Sequence, residues 1–210
     1  MSILVKSDKI FEIFKEENPD PKTELEYANL YTLLVAVSLS AQTTDAAVNK
    51  ATQALFEKAS SARKMIELGH DELLEHIRSL NFCYTKAKNI IAMSEILMNK
   101  HNEEVPLEFE ELVKLPGVGR KTANVVINCW LGASVMPVDT HVYRVGRRLG
   151  LAKSEDLGRV EQELLGNISS QYLPKAHHWL ILHGRYICKA RKPLCGECKV
   201  RNYCDYFGGI

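Results

Sequence analysis

Residues 115–139, LPGVGRKTANVVINCWLGASVMPVD, decide the fold of this chain. The stretch opens with LPGVG, in which Gly117 and Gly119 allow a tight turn that leaves backbone N–H groups exposed. Helical spacing of apolar residues follows and predicts one buried face, made of Ala123, Val126, Ile127, Trp130 and Leu131. A short helical pattern precedes the turn, so the sequence predicts a helix, a Gly-x-Gly hairpin and a second helix. Amides at such a hairpin can bind one phosphate without reading any base.

Two polar residues of this stretch suggest chemistry as well as binding. Lys121 falls in the first turn of the second helix, where the helix dipole disfavours an ammonium and favours an amine that can lose its proton and attack. Asp139 precedes the next helix, where it is either the N-cap or a group that handles charge or a proton. Each residue alone is more often structural, as a solvated lysine or a cap. The hypothesis of catalysis rests on the two together.

The charge of the chain is informative through its distribution. The 210 residues include 27 basic and 26 acidic side chains, so composition alone does not indicate a nucleic-acid binder. Residues 175–201, however, contain seven Lys or Arg and one acid, and Arg144, Arg147 and Arg148 precede them. Further basic residues, among them Arg120, flank the hairpin. The pattern indicates either a solvated surface or a DNA-facing one, and the position beside the hairpin favours DNA.

Four of the six cysteines lie in the last 23 residues: Cys188, Cys195, Cys198 and Cys204, with six, two and five residues between them. The N-terminus lacks the apolar core of a signal peptide, and no segment approaches the ~20 apolar residues of a membrane span. We therefore expect a reducing compartment, in which clustered thiols bind metal rather than form disulfides. Their spacing leaves both zinc and an iron–sulfur cluster open.

Helical periodicity recurs along the whole chain, and no segment alternates at period two for long, so the sequence predicts an all-α fold. Outside the hairpin, the predicted helices are 3–17, 25–39, one capped by Thr43 or Thr44 and ending near 58, 61–68, 71–80, 86–100, 140–149, 159–168 and 175–187.

The segments LPGVGRKTANVV and PVDTHVYRVGRRLGL resemble the helix-hairpin-helix DNA glycosylases, specifically their endonuclease III branch. The resemblance runs from end to end, and the four-cysteine pattern is similar to the [4Fe–4S] loop of that branch. It implies that Lys121 is the nucleophile, that Asp139 is the essential aspartate, and that the four cysteines hold a [4Fe–4S] cluster. It also implies two helical domains: a six-helix barrel with the helix-hairpin-helix motif over 23–134, and a discontinuous cluster domain over 1–22 and 135–210. A DNA groove would lie between them, with Lys121 on one wall and Asp139 on the other.

The same resemblance implies particular DNA contacts. Gln42 would fill the gap left by an extruded base and Asp45 would be a polar group near the site, with helix capping as the alternative for both. Phe82 takes the place of a leucine wedge, because Asn81-Phe82-Cys83 stands where the family usually has Gly-Leu-Tyr. We expect the turn to survive, since Asn tolerates the left-handed conformation, and an aromatic ring can stack in an opened duplex. The other predicted DNA contacts are Gly117, Gly119, Arg120, Arg191 and Lys192.

The activity that the resemblance implies is base excision repair. The enzyme would be a DNA glycosylase with AP lyase activity, removing oxidised pyrimidines and cutting the strand 3′ to the abasic site by β-elimination through a Schiff base on Lys121. We expect a monomer that acts on damaged double-stranded DNA, has no membrane association, and is cytoplasmic as in bacteria, associating with the nucleoid through DNA.

Two other functions fit parts of the pattern. An adenine-mismatch glycosylase shares the hairpin and the cluster, but it lacks a lysine at the position of Lys121 and carries an added C-terminal domain, whereas this chain ends six residues after Cys204. A metal-stapled DNA-binding module without enzymatic activity would explain the hairpin, the basic residues and the cysteines. It would leave the pairing of Lys121 with Asp139 unexplained.

Overall fold

The computed structural model describes residues 1–208, and every regular element in that part of the chain is helical, which confirms the predicted all-α class. The α-helices are α1 (Ile3–Glu17), α2 (Leu30–Leu39), α3 (Asp45–Lys58), α4 (Ala62–Ile77), α5 (Cys83–Lys100), α6 (Phe109–Leu112), α7 (Arg120–Leu131), α8 (Thr140–Leu149), α9 (Leu157–Asn167), α10 (Leu173–Tyr186) and α11 (Asp205–Gly208). A 3-10 helix, Arg201–Tyr203, precedes α11. Among the described residues, no helix combines the length and apolar character that crossing a membrane requires.

Two helices differ from their predicted bounds for reasons of local backbone chemistry. The predicted helix 25–39 begins only at Leu30, because Asn29 and Thr32 form a capping box: the Asn29 Oδ1 accepts from the Thr32 N–H at 2.9 Å, and the Thr32 Oγ1 accepts from the Asn29 N–H at 3.0 Å. The predicted helices 61–68 and 71–80 join in α4. The chain bends between them at Gly69, whose positive φ of 81° suits a residue without a Cβ.

The chain divides into two compact units, and the segment Glu24–Trp130 forms one of them, called here the contiguous unit. Eight of the ten residues of α2 are buried in it, because this helix is apolar on nearly every side. Helix α4 packs against α3 and α5, and α2 packs against α3 and α5. Helix α7 buries Ala123, Val126 and Ile127 as predicted.

The predicted burial of Trp130 and Leu131 on the same face of α7 is wrong. Their exposed fractions are 43% and 55%. Both residues lie in the last turn of α7, where the contiguous unit ends, so the buried stripe stops one turn before the helix does.

The segments Met1–Thr23 and Leu131–Ile210 form the second unit, called here the discontinuous unit. Its core joins α1 to α8, α9 and α10. The Phe11 ring of α1 stacks on the Tyr172 ring with centroids 5.7 Å apart, and the Trp179 indole N–H donates to the carbonyl of Asn18 at 2.9 Å. The predicted division was at 22/23 and 134/135, and the chain passes from one unit to the other at 23/24 and 130/131.

Candidate functional site

The fold requires glycine at only one of the two glycine positions of the hairpin. Gly117 has φ of 80°, and a Cβ there would lie 3.1 Å from the Cβ and Nδ2 of Asn89 on α5, so the fold itself requires glycine. A Cβ on Gly119 would meet no atom within 4 Å, and its φ is not in the left-handed range. The fold therefore does not require glycine at 119. Its missing side chain leaves the backbone open to a group that approaches from outside.

Helix α7 begins directly after this turn. The Ala123 N–H donates to the Gly119 carbonyl at 3.0 Å, so the amides of the preceding residues in the first turn have no acceptor within the helix. Lys121 is the second residue of α7 and is exposed. Arg120, also exposed, places its guanidinium carbon 5.3 Å from the centroid of the Phe109 ring. The hairpin thus presents a lysine beside unsatisfied amides.

Gln42 and Phe82 are brought together in the contiguous unit. Both have left-handed backbones, with φ of 54° and 58°, and both are exposed, Phe82 by 62%. The Asn81 side-chain amide donates to the carbonyl of Gln42 at 2.7 Å. The turn survives as expected, but its left-handed residue is Phe82 and not Asn81. Asn81 uses its side chain to hold the other segment.

Helix capping explains neither Gln42 nor Asp45. Thr44 is the N-cap of α3, with its Oγ1 accepting from the Ala47 N–H at 3.3 Å. Asp45 follows as the first helical residue. Its carboxylate lies near the Cys129 thiol of α7: burial is the larger cause that raises the pKa of Cys129, to about 12, and the negative charge of Asp45 adds to it. Asp45 therefore lies close to the helix that carries Lys121.

Asp139, in the discontinuous unit, is the N-cap of α8. Its Oδ1 accepts from the N–H of His141 at 2.8 Å and from the N–H of Val142 at 2.7 Å. Both capping bonds go to this one oxygen, and within residues 1–208 no hydrogen bond occupies Oδ2. The cap therefore uses one oxygen of this partly buried carboxylate, and capping alone does not occupy the other.

One small pocket is lined by Leu149 of α8, His183 of α10 and apolar residues of the segment that follows α10, together with the four C-terminal cysteines: Cys188, Cys195, Cys198 and Cys204. All four are free thiols. Burial is the main cause that raises the pKa of Cys198, to about 11, and the other three thiols contribute to that rise. The thiols must lose their protons to bind iron, so metal would replace protons at this pocket.

The chemistry of this donor set fits an iron–sulfur cluster. Each iron of a [4Fe–4S] cluster takes one thiolate from the protein, and this pocket brings four cysteines together. Four thiolates can also hold one zinc ion, at about 2.3 Å from each sulfur.

Basic residues of α8 hold the first cysteine in place. Arg144 donates from Nε to the carbonyl of Cys188 at 3.0 Å. Arg148 donates to the carbonyls of Lys189 at 2.8 Å and of Ala190 at 3.0 Å. These two half-buried arginines therefore direct donors to carbonyls within the unit, a structural role that the sequence did not indicate. Arg191 and Lys192, in contrast, are exposed.

The structure adds Lys86 to the residues around Gln42: it is only 7% exposed, and the sequence did not single it out. Its ammonium donates to the carbonyls of Leu39 and Ala41 at 2.7 and 2.9 Å and to the Thr43 hydroxyl at 2.9 Å. One sequence feature could have identified Lys86: like Lys121, it is a lysine in the first turn of a helix.

Two family models match the chain. Residues 35–169 match the HhH-GPD superfamily of base excision DNA repair proteins. Residues 188–204 match the iron–sulfur binding domain of endonuclease III. The first match includes the hairpin, Lys121 and Asp139, and the second includes all four cysteines of the pocket.

Individual relatives and solved structures are similar over nearly the whole length. Endonuclease III of Rickettsia felis is 57% identical over 200 residues, which cover 95% of this chain and 94% of that protein. Endonuclease III of Escherichia coli K12 is 46% identical over 192 residues, covering 91% of each chain. The structure of a trapped endonuclease III–DNA covalent intermediate superposes with a TM-score of 0.90 at 40% identity, covering 100% of this chain and 99% of that one.

Proposed function

Because this chain belongs to the endonuclease III family of HhH-GPD base excision DNA repair proteins, we propose that it removes oxidised pyrimidines from double-stranded DNA and cuts the strand 3′ to the abasic site. The predicted family, the class of DNA-repair glycosylase and the [4Fe–4S] cofactor are confirmed by the family models and relatives. The lesion class, the lyase step, the roles of single residues and action as a monomer are the proposal.

The first step forms a bond between Lys121 and the sugar. The damaged nucleotide leaves the base stack, since C1′ is shielded within the duplex. The neutral Lys121 amine attacks C1′, and the glycosidic bond breaks with its electron pair leaving on the base, which takes up a proton. Asp139 accepts the proton that the amine loses, or stabilises the positive charge that develops on the sugar. The oxygen Oδ2, which takes no part in the helix cap, is suited to that role.

The second step breaks the strand. Opening of the sugar ring leaves an imine between Lys121 and C1′, which acidifies the hydrogens on C2′. Removal of one of them forms the C2′–C3′ double bond and breaks the C3′–O bond, so the 3′ phosphate leaves with that electron pair. Water then hydrolyses the imine and releases the lysine. No electrons are transferred to or from an external carrier in either step.

One observation carries this proposal: an exposed lysine in the first turn of α7, directly after a hairpin whose Gly119 backbone is open to solvent. Unpaired amides at this helix start favour a phosphate of the DNA. A phosphate clamp and a nucleophile are thus adjacent in the sequence and on one element.

In the proposal, Cys188, Cys195, Cys198 and Cys204 hold the [4Fe–4S] cluster. When bound, the cluster supplies a cross-link within the C-terminal loop rather than redox chemistry, because the reaction needs no electron transfer. The segment 189–192, next to the first ligand, carries the exposed residues Arg191 and Lys192. We assign them to phosphates of the DNA backbone, with Gln42, Asp45 and Phe82 acting at the opened base pair.

The test is borohydride trapping, which reduces the imine to a stable amine and links the protein to DNA. Wild-type protein should be trapped on duplexes that contain an oxidised pyrimidine. Lys121→Gln should fold, bind the same DNA, and lose trapping, excision and strand cleavage. Lys114→Gln is the matched control, since it removes an exposed lysine before the hairpin. An undiminished band from Lys121→Gln would place the nucleophile elsewhere, and preferential excision of adenine from mismatches would defeat the lesion class.

A further inference from the structure

Two exposed residues in the contiguous unit have backbones that their side chains disfavour. Gln42 lies between α2 and α3, with φ of 54°, and Phe82 is the N-cap of α5, with φ of 58° and ψ of 33°. A left-handed backbone is costly for a residue with a Cβ and persists only where its surroundings hold it. Around Gln42 the holding groups are the side chains of Lys86, in the first turn of α5, and of Asn81, just before Phe82.

Lys86 donates hydrogen bonds to residues on both sides of Gln42 in the chain. Its ammonium donates to the carbonyls of Leu39 and Ala41 before Gln42, and to the hydroxyl of Thr43 after it, at 2.7, 2.9 and 2.9 Å. All three ammonium donors are therefore used. Leu39 ends α2, so the cation also meets a helix C-terminus, where a positive charge is stabilised. Burial lowers the pKa of Lys86, but three acceptors around one ammonium fit its charged form.

Lys86 is joined to Phe82 through the backbone. The Lys86 N–H donates to the Phe82 carbonyl at 3.0 Å, which is the first hydrogen bond of α5. Asn81, the residue before Phe82, donates from its side chain to the carbonyl of Gln42 at 2.7 Å. The segments 39–43 and 81–86 are thus locked to each other through side chains of Lys86 and Asn81.

We infer that Lys86 is a positioning residue, which presents Gln42 and Phe82 to the DNA as one preformed unit. This rests on the proposed function, in which Gln42 fills the gap left by the extruded base and Phe82 enters the opened duplex. Lys86 itself is buried and does not reach the DNA. Its loss should slow extrusion of the damaged nucleotide and leave the chemistry of Lys121 intact.

The experiment compares a substrate that needs extrusion with one that does not. Lys86→Met should lower single-turnover excision from a damaged duplex by about 10-fold to 10²-fold, the scale of misplacing a group that positions substrate. It should cut an abasic site in single-stranded DNA at close to the wild-type rate. A fluorescent base analogue beside the lesion should report less unstacking. Lys88→Met, which removes an exposed lysine two residues further along α5, controls for loss of charge.

A double-mutant cycle separates positioning from general stability. If Lys86 acts through Gln42, Lys86→Met should cost little in a Gln42→Ala background, whereas loss of stability alone would lower both backgrounds equally. Asn81→Ala removes the bond to the Gln42 carbonyl at an exposed position, and it should show the same selective loss, which decides the matter if Lys86→Met does not fold.

Unchanged duplex excision in the folded variants, or additive effects in the cycle, would overturn the inference. Failure of the wild-type protein to cut an abasic site in either duplex or single-stranded DNA would instead refute the proposed lyase, so the two failures are distinguishable.

Discussion

At Asp139, replacing one carboxylate oxygen distinguishes a capping role from a catalytic role. Asn caps a helix about as well as Asp, so Asp139→Asn should keep both bonds to the α8 amides and a near-normal melting temperature. The substitution replaces the second oxygen with an NH2 group, and the resulting amide can neither accept the proton nor carry a negative charge. We expect base excision to fall by roughly 10²-fold or more, the scale of general acid–base effects.

The companion variant Asp139→Ala removes the cap as well. It should lower the free energy of unfolding by about 1 kcal/mol in addition to the loss of activity. Thermal melting and single-turnover excision measure the two effects independently. Near-normal turnover of Asp139→Asn would show that Asp139 is only a cap.

At the scale of the element, the hairpin contains two glycines with different roles. The fold requires Gly117, whereas we expect Gly119 to allow DNA to approach the backbone. Gly117→Ala forces a Cβ into a left-handed backbone and against Asn89, so it should lower stability by about 1–2 kcal/mol. Gly119→Ala meets open space and should leave the melting temperature unchanged. It should weaken binding of duplex DNA about tenfold, the scale of one lost charged hydrogen bond. Normal DNA affinity in a folded Gly119→Ala protein would remove the hairpin from the DNA interface.

The loop 188–204 offers a second test at this scale, because Arg191 and Lys192 are exposed on it. Arg191→Ala and Lys192→Ala should each reduce the slope of log affinity against log salt by about 0.9, the contribution of one phosphate contact. Binding should weaken on any sequence, since phosphate contacts carry no base information. Arg159→Ala, an exposed arginine on α9, is the control. An unchanged slope in both loop variants would mean that the loop does not contact DNA.

At the scale of the molecule, we expect the cluster to tie the C-terminal segment to the rest of the discontinuous unit. Purified protein should contain about four iron atoms per chain, and one zinc without iron would defeat the assignment. Cys198→Ser removes one ligand, so it should lose iron and loosen the loop that Arg144 and Arg148 contact from α8. DNA affinity should fall with it. Arg191→Ala should retain its iron, which separates the loss of charge from the loss of the cluster.

Features that depend on neighbouring residues could be predicted from the sequence. Helix periodicity, the Gly-x-Gly turn, the position of Lys121 in its helix and the spacing of the four cysteines are properties of short segments. Local hydrogen bonds and backbone preferences dominate there. For the same reason, the predicted bounds of α1 and α8 agree with the structure. The resemblance to a known family added the cofactor and the activity, which spacing alone left open.

Only the tertiary structure decided which polar groups face inward and which face out. Arg144 and Arg148 looked like Arg191 in the sequence, yet their donors are taken by carbonyls some 40 residues away. Lys86 met the same first-turn criterion as Lys121, but burial and three acceptors from another segment make it internal, while Lys121 is exposed. Trp130 continues the apolar stripe of α7 in the sequence, yet no part of its unit buries it, and it is exposed. In each case the outcome depends on contacts between distant segments, because burial and hydrogen-bond satisfaction are settled by what packs nearby in space.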